Sequence, residues 1–440
     1  MGISEFLIEA YQPILLLRES KFVYFSNIIS SNAFDFLLVI AAIVSTIYLY
    51  IGIRMLLFYK KKSINYKVKE EDLPFVTIQI PTYNEPAAIQ CAIKCLENDY
   101  PKDKYEILIG DDSKDPKISK MLKDFAKLHN NVRVIKRKDN IGFKAGNLNN
   151  MLNYSNGEIL VLFDSDFLPP KDFLRRIIAP FNKSNKIAAV QARWSFIKPN
   201  KNLISLLSST ILSVIHNLVL PLIYRKSKIT FICGSAEAVK KSILKRLGGW
   251  KSGSFTEDID YSLRILKNGY KIVYLEDLEC KGEVPYTPKD FYKQQMRWAY
   301  GVIRAYIDHG LDVFKTKDLR LKDKTFIFFF GSGYLISFLL VALFITGFIA
   351  FITHMPEPLN ISEFMYYTTR NILVTSGLIF ASSVALVKKD NLKKVWHMIA
   401  ASFSYGLVVM YYVNKGMFKA LFNKPMQWHL LKKEGNKVKI

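Results

Sequence analysis

Two aspartates at i and i+2, Asp164 and Asp166, follow the apolar run of residues 159–163. That run is short, β-branched and aromatic, so it reads as a buried strand. In extended chain the two carboxylates point to the same side and repel unless a cation lies between them. Hard oxygen ligands suit Mg²⁺ or Mn²⁺, and such sites commonly complete their shell with substrate phosphates. The same three residues, Asp164-Ser165-Asp166, would also serve as a polar turn. Asp111 and Asp112 end a second apolar run. A carboxylate there can accept from a base N–H or a ribose hydroxyl, or it can cap a helix. Lys144 stands between Gly142 and Gly146 at the expected start of a helix. Small residues let backbone N–H groups approach phosphate oxygens, and the ammonium adds a point charge. The spacing is not that of a Walker loop.

Three later stretches could complete the chemistry. Residues 231–236 read as a strand running into a small-residue turn through Cys233, Gly234 and Ser235. Thr256 is a good N-cap for an amphipathic helix whose first turn is acidic, which suits the helix dipole. The functional reading of that turn makes Asp258 a general base toward an attacking hydroxyl. Gln294, Arg297 and Trp298 fall at i, i+3 and i+4 and share a helix face. An indole and a guanidinium there can hold a sugar ring and a diphosphate, or anchor an interfacial helix.

The elements that must position these residues show as short apolar strands at residues 75–80, 105–109, 132–136 and 159–163, alternating with amphipathic stretches. This is the α/β pattern. Polar clusters follow the first, second and fourth strands, and ligands of open parallel sheets bind outside the carboxyl ends of strands.

The 440 residues are half hydrophobic, carry a formal net charge of +24 and include four cysteines. The basic residues sit largely beside apolar spans, so an anionic membrane surface and an anionic substrate account for them better than nucleic acid. Cys91, Cys95, Cys233 and Cys280 have no zinc-finger spacing and read as unpaired thiols of a reducing compartment. Residues 1–32 lack the features of a signal peptide and read as an interfacial segment. Residues 33–59 form a bilayer-length span, followed by Lys60, Lys61, Lys62, Lys67 and Lys69, which places the next segment in the cytoplasm. Residues 74–290 form the α/β domain, residues 291–325 interfacial helices, residues 326–413 two or three further spans, and residues 414–440 a basic tail. The basic loop at residues 388–394 belongs in the cytoplasm, whereas a third crossing would put the basic tail outside, against the positive-inside rule.

Taken in this order, residues 81–86, Asp111-Asp112, Lys144-Ala145-Gly146, Asp164-Ser165-Asp166, residues 231–236, Thr256-Glu257-Asp258 and residues 294–298 resemble the membrane-embedded processive members of glycosyltransferase family 2. These are the cellulose, hyaluronan and chitin synthases. The resemblance implies an α/β GT-A domain, cytosolic and flanked by transmembrane α-helices, in the plasma membrane. It implies a nucleotide-sugar donor, commonly a UDP-sugar, with Mg²⁺ or Mn²⁺. Residue by residue, Thr82, Tyr83, Glu85, Asp111 and Asp112 would bind the nucleoside. Lys144 would approach the diphosphate, and Asp164 and Asp166 the diphosphate and metal. Cys233, Gly234 and Ser235 would shape the acceptor site, and Asp258 would be the base. Gln294, Arg297 and Trp298 would bind pyrophosphate and acceptor sugar. The implied reaction is inverting transfer to a growing glycan, processive and coupled to export.

Two departures stand out. The gating loop of bacterial cellulose synthases reads Phe-x-Val-Thr-x-Lys, and the nearest stretch here, residues 428–433, has no Thr, which argues against regulated gating. The spans are also few for a wide polymer channel. Either a homo-oligomer forms one, or the enzyme adds one or a few sugars to a membrane lipid without exporting a polymer. A transporter would instead place charges within several spans, and here only Asp35, Arg54 and Arg370 lie near span ends.

Overall fold

The computed structural model describes residues 21–57, 68–353, 361–387 and 394–435. The chain divides into two compact units, residues 1–57 with 333–384 and residues 58–332 with 385–440.

The second unit is built on a seven-stranded sheet of β1 (Val76–Thr82), β2 (Tyr105–Asp111), β3 (Val132–Lys136), β4 (Ile159–Leu162), β5 (Ile187–Phe196), β6 (Glu237–Lys240) and β7 (Lys271–Gly282), in the order β3-β2-β1-β4-β6-β5-β7. β1 pairs in parallel with β2 and β4, and β2 with β3. β6 runs antiparallel to both β4 and β5, while β5 and β7 are parallel. This is the mixed α/β sheet that the resemblance implies. β1, β2 and β4 are buried at every residue, which is why they read as continuous runs rather than alternating ones. Ile78, Ile80, Ile107, Ile109 and Val161 interlock beneath them in one core.

Helices α1 (Lys21–Leu57), α2 (Ala87–Leu96), α3 (Pro116–Lys127) and α4 (Phe143–Leu152) follow in chain order. The last three are the crossovers of the parallel half, and they return the chain so that β1, β2 and β4 end on one side. α3 starts where Asp115 accepts from the Lys117 N–H at 2.9 Å, with Pro116 at its first position. Short α5 (Phe173–Ile178) packs beneath the sheet, where Phe173 meets Phe163.

α6 (Leu203–Val214), a π-helical turn (Ile215–Val219) and α7 (Leu220–Ser227) make one apolar segment long enough to cross a membrane, yet 83% of its most apolar window is buried inside the protein. Its hydrophobicity serves the protein interior. α8 (Lys241–Arg246), α9 (Glu257–Lys267), α10 (Pro288–Lys315) and α11 (Leu321–Gly331) follow, so the expected interfacial stretch is α10 with α11.

α12 (Leu335–Thr353) and most of α13 (Ile361–Val387) join α1 in the first unit. There Leu38 and Ala41 of α1 pack on Leu343, and the Gly377 N–H donates to Ser45 Oγ at 2.8 Å. α1 begins at Lys21, so residues 21–32 continue the first apolar helix. Residues 1–20, Lys60, Lys61, Lys62 and Lys67, residues 388–393 and the last five residues lie outside the described part.

α14 (Lys394–Leu421) contains the expected third span but is not among the described helices apolar enough to cross. It packs instead on the α/β unit, with Ala401 against Ile204, Leu207 and Phe291. At Gly416 the α10 backbone comes so close that a Cβ would lie 2.3 Å from the Met296 carbonyl oxygen. The three helices that do qualify are Lys21–Leu57, Leu203–Ser227 and Leu321–Thr353, or four if the bent pair Met365–Val374 and Ser376–Leu386 counts as one span.

The strand expected at residues 231–236 is not formed. The Ile232 N–H donates to Ser262 Oγ (3.0 Å), the Cys233 N–H to Gln191 Oε1 (2.7 Å) and the Gly234 N–H to Glu237 Oε2 (2.7 Å). Side chains take the donors that a ladder would need, and the regular strand starts only at Glu237.

Candidate active site

A cavity of about 620 Å³ opens at the carboxyl ends of β1, β2 and β4. The sheet therefore delivers its three polar clusters to one place. Thr82, Tyr83 and Glu85 enter from the end of β1 and Asp112 from β2. Asp164 and Asp166 follow β4, and Lys144 stands at the start of α4. Cys233 and Gly234 form a further wall, Asp258 comes from α9, and Gln294, Arg297 and Trp298 from α10. Residues from seven separate stretches thus meet.

Asp111 and Ser235 do not line the cavity. Asp111 is fully buried; its Oδ1 accepts from the Ser113 N–H at 2.8 Å and its Oδ2 lies 3.2 Å from Lys136 Nζ. Burial pushes its carboxyl up, but the serine hydrogen bonds and Lys136 win and hold it below the usual range. Successive residues of a strand face opposite ways, which sends Asp112 into the cavity and Asp111 away from it. Ser235 accepts from the Asp164 N–H at 2.9 Å and so fixes the backbone that presents the aspartates.

Asp112 is held by Arg137 through Nε at 2.7 Å and Nη2 at 2.5 Å. The same guanidinium donates to the carbonyls of Ile141 (2.9 Å) and Phe143 (3.3 Å), tying the loop before α4 to the end of β2. Lys144 is aimed by that loop. Its Nζ lies 2.8 Å from Asp164 Oδ1 and 3.0 Å from Glu257 Oε1, and it donates to the Gly234 carbonyl at 2.6 Å. Burial would lower its pKa, but the Asp164 and Glu257 carboxylates outweigh burial and raise it. Burial and the adjacent Glu257 push Asp258 up to about 7, against the pull of Lys144. A carboxylate of that proton affinity suits a general base near neutral pH.

Thr256 occupies the N-cap position of α9, but its hydroxyl makes no capping bond. Its side chain is turned onto α10, where a Cβ on Gly301 would meet Thr256 at 2.6 Å. Thr256 Oγ1 and Gln294 Oε1 are both buried without a hydrogen-bond partner, on residues that line the cavity. An unsatisfied buried polar atom costs about 1–3 kcal/mol, and both of these atoms are enclosed by protein.

Sequence reading missed the roof. Residues 426–433 cross the cavity. The Trp428 ring stacks on Phe143 at 5.5 Å and Phe255 at 6.0 Å, with the Arg297 guanidinium 4.4 Å from its centroid. His429 Nε2 lies 2.8 Å from Asp290 Oδ1. Lys433 Nζ lies 2.8 Å from Asp166 Oδ1 and 2.9 Å from Glu85 Oε1, and donates to Ser165 Oγ at 2.9 Å. The one sequence signal for this placement is the comparison of residues 428–433 with a gating loop. Glu283, also on the cavity wall, had no such signal.

Asp164 and Asp166 supply two carboxylates of the kind that hold Mg²⁺ or Mn²⁺. Among the described residues no group of three or more His, Cys, Asp or Glu could hold a metal ion. The donor set fits a cation whose remaining ligands come from substrate phosphate. All four cysteines are free, with Cys91, Cys95 and Cys280 buried and Cys233 half-buried.

The model of "Glycosyltransferase like family 2" matches residues 74–301, just over half of the chain. "Glucomannan 4-beta-mannosyltransferase 2" of Arabidopsis thaliana is 31% identical over 302 residues, covering 64% of this chain and 56% of that protein. "Probable glucomannan 4-beta-mannosyltransferase 7" of Oryza sativa subsp. japonica is 30% identical over 270 residues, covering 59% of this chain and 46% of its own length. The chain thus spans about half the length of these curated relatives. Among solved structures, a mannosyltransferase from Pyrobaculum calidifontis in complex with GDP-Man and Mn²⁺ superposes with a TM-score of 0.60 at 18% identity, over 92% of this chain and all of that one, and shares its GT-A fold. With the family match spanning the stretch that carries β1 to β7 and most of the cavity wall, the chain belongs to glycosyltransferase family 2.

Proposed function

We propose that this protein is a membrane-bound inverting β-glycosyltransferase that moves a sugar from a nucleotide-sugar to a growing polysaccharide. The observation that carries the reading is Asp258. It is a half-buried carboxylate with its pKa pushed up to about 7, in the same cavity as Lys144, Arg297 and the Asp164/Asp166 pair. In this reading the acceptor hydroxyl gives its proton to Asp258, and its oxygen attacks the anomeric carbon from the side opposite the diphosphate. The glycosidic C–O bond to phosphate breaks, and the leaving diphosphate keeps the electron pair. Lys144 and Arg297 offset the charge that develops there. Thr82, Tyr83, Glu85 and Asp112 hold the nucleoside. Cys233, Gly234, Gln294 and Trp298 shape the acceptor side. Asp164 and Asp166 would hold a divalent cation, which would supply Lewis-acid stabilisation of the diphosphate.

The wider resemblance implies uridine, whereas the names of the curated relatives support a mannosyl donor and a β-mannan-like product. The apolar helices support residence in a membrane, which the wider resemblance implies is the plasma membrane, and the lysines after the first span support a cytosolic active site. The test is product size. The protein in lipid is given Mn²⁺ and a panel of radiolabelled nucleotide sugars that includes GDP-mannose and UDP-sugars. A high-molecular-weight product from one donor supports processive synthesis and identifies the sugar. A single lipid-mobile band would replace it with addition of one or a few sugars to a lipid. No incorporation and no released nucleoside diphosphate would overturn the reading.

A further inference from the structure

We propose that Lys433 is an internal counter-ion of the metal carboxylates, so that a divalent cation and the C-terminal segment compete for Asp166. The proposal rests on the reading of Asp164 and Asp166 as metal ligands.

Two carboxylates at i and i+2 on one cavity wall need compensation at all times, whether or not a metal is bound. Each has a different lysine. Asp164 has Lys144, 2.8 Å away, carried by helix α4. Asp166 has Lys433, 2.8 Å away, carried by a segment without regular secondary structure. The Lys433 ammonium is also 2.9 Å from Glu85 Oε1 and 2.9 Å from Ser165 Oγ, and its side chain is only 14% exposed. Three oxygen ligands around one buried cation resemble the surroundings of a bound metal ion more than a surface ion pair. Burial opposes its charge, yet Asp166 and Glu85 more than compensate.

The next residues form a latch. Glu434 pairs with Lys201 and lies 3.8 Å from Lys198. The backbone N–H groups of Glu434 and Gly435 donate to Glu283 at 2.7 and 2.8 Å. On the far side of this latch is a second cavity, of about 210 Å³, which shares Ser165, Asp166, Glu283 and Val284 with the first. Lys433 lines the larger cavity, and Glu434 and Gly435 line the smaller. Withdrawal of residues 433–435 therefore joins the two spaces without moving a strand or helix. Because the ammonium is tethered, it competes at high effective concentration, and a free dication must displace it. The exchange is reciprocal: whatever favours the metal at Asp166 also releases the latch.

The test uses the full chain in lipid nanodiscs, with Mn²⁺ as the probe and no nucleotide. Free Mn²⁺ is counted by electron paramagnetic resonance. Lys433→Met is expected to bind Mn²⁺ at least about tenfold more tightly than the wild type, because one nearby positive charge is gone. Lys433→Arg, which keeps the charge, is expected to stay near the wild type. Equal affinity of Lys433→Met and wild type, with binding lost in Asp166→Asn, would overturn the counter-ion role while leaving the metal reading intact. Mn²⁺ binding that is indifferent to Asp166→Asn would overturn the metal reading and this proposal with it. A second measurement needs no variant. Saturating Mn²⁺ is expected to speed hydrogen exchange at the Glu434 and Gly435 amides at least about fivefold, in line with the reciprocity of linked equilibria. Unchanged or slower exchange there would overturn the proposal.

Discussion

Replacing Asp258 by Asn removes the charge and the basicity but keeps the shape. The partly desolvated environment that lifts the Asp258 pKa to about 7 is then left with an amide that cannot take a proton. General-base catalysis contributes about 10²–10⁴ in rate, equivalent to roughly 3–5 kcal/mol of transition-state stabilisation. Donor binding should change little, since Lys144 keeps Asp164 and Glu257 as partners at 2.8 and 3.0 Å. The expected result is a fall in kcat of about a thousandfold, with the donor KM within about threefold of the wild type. The pH profile is the more specific readout. The base works deprotonated, so log(kcat/KM) of the wild type should rise with unit slope below pH 7 and level off above it. The Asn variant should lose that limb. The assay is release of nucleoside diphosphate from protein in vesicles at saturating Mn²⁺, with donor binding followed by calorimetry. A variant that turns over at a comparable rate and keeps a rising limb near pH 7 would refute the assignment.

Gly234→Ala places a Cβ 3.3 Å from both Asp258 Oδ2 and Lys144 Nζ, at a φ of +85°. The left-handed conformation alone costs an L-residue roughly 1–2 kcal/mol, and a kcat lower by about tenfold is expected from pressure on the base and the lysine together. Trp428→Ala removes the stack on Phe143 and Phe255 and the cation–π contact with Arg297, so substrate KM should rise about tenfold, with kcat changed less. Arg137→Met strands Asp112, whose side chain is 5% exposed, and should destabilise the α/β unit by roughly 3 kcal/mol, seen as a lower thermal midpoint. Chelation of divalent cations should abolish transfer, and Mn²⁺ should restore it; full activity in excess chelator would remove the metal from the reaction.

The parallel half of the sheet was legible because strands covered on both faces are continuous apolar runs, and a polar cluster at the end of each breaks the run visibly. That made the strands before Thr82, Asp112 and Asp164 readable, and with them the place where they converge. Helix periodicity placed Gln294, Arg297 and Trp298 on one face. Other features depend on partners far away in sequence. Ser165 and Lys433 meet across 268 residues, and nothing in a basic terminal stretch distinguishes a lysine destined for a carboxylate pair from one destined for lipid headgroups. The apolar segment Leu203–Ser227 passes by composition for a membrane span, and only its surroundings reveal it as protein interior. Thr256 has the right residue type for a cap, but its packing against Gly301 takes the hydroxyl elsewhere.

The wall at residues 231–234 hangs from Ser262, Gln191 and Glu237 rather than from neighbouring strands. A ladder strand owes its position to its whole length, so reshaping one residue risks slipping all of them. A segment suspended from three side chains is fixed point by point. The half-buried side chain at position 233 can therefore be exchanged for a larger or smaller one while the three anchors keep the main chain in place. Cys233 is thus the position where the cavity wall can be recut independently of the sheet that supports it.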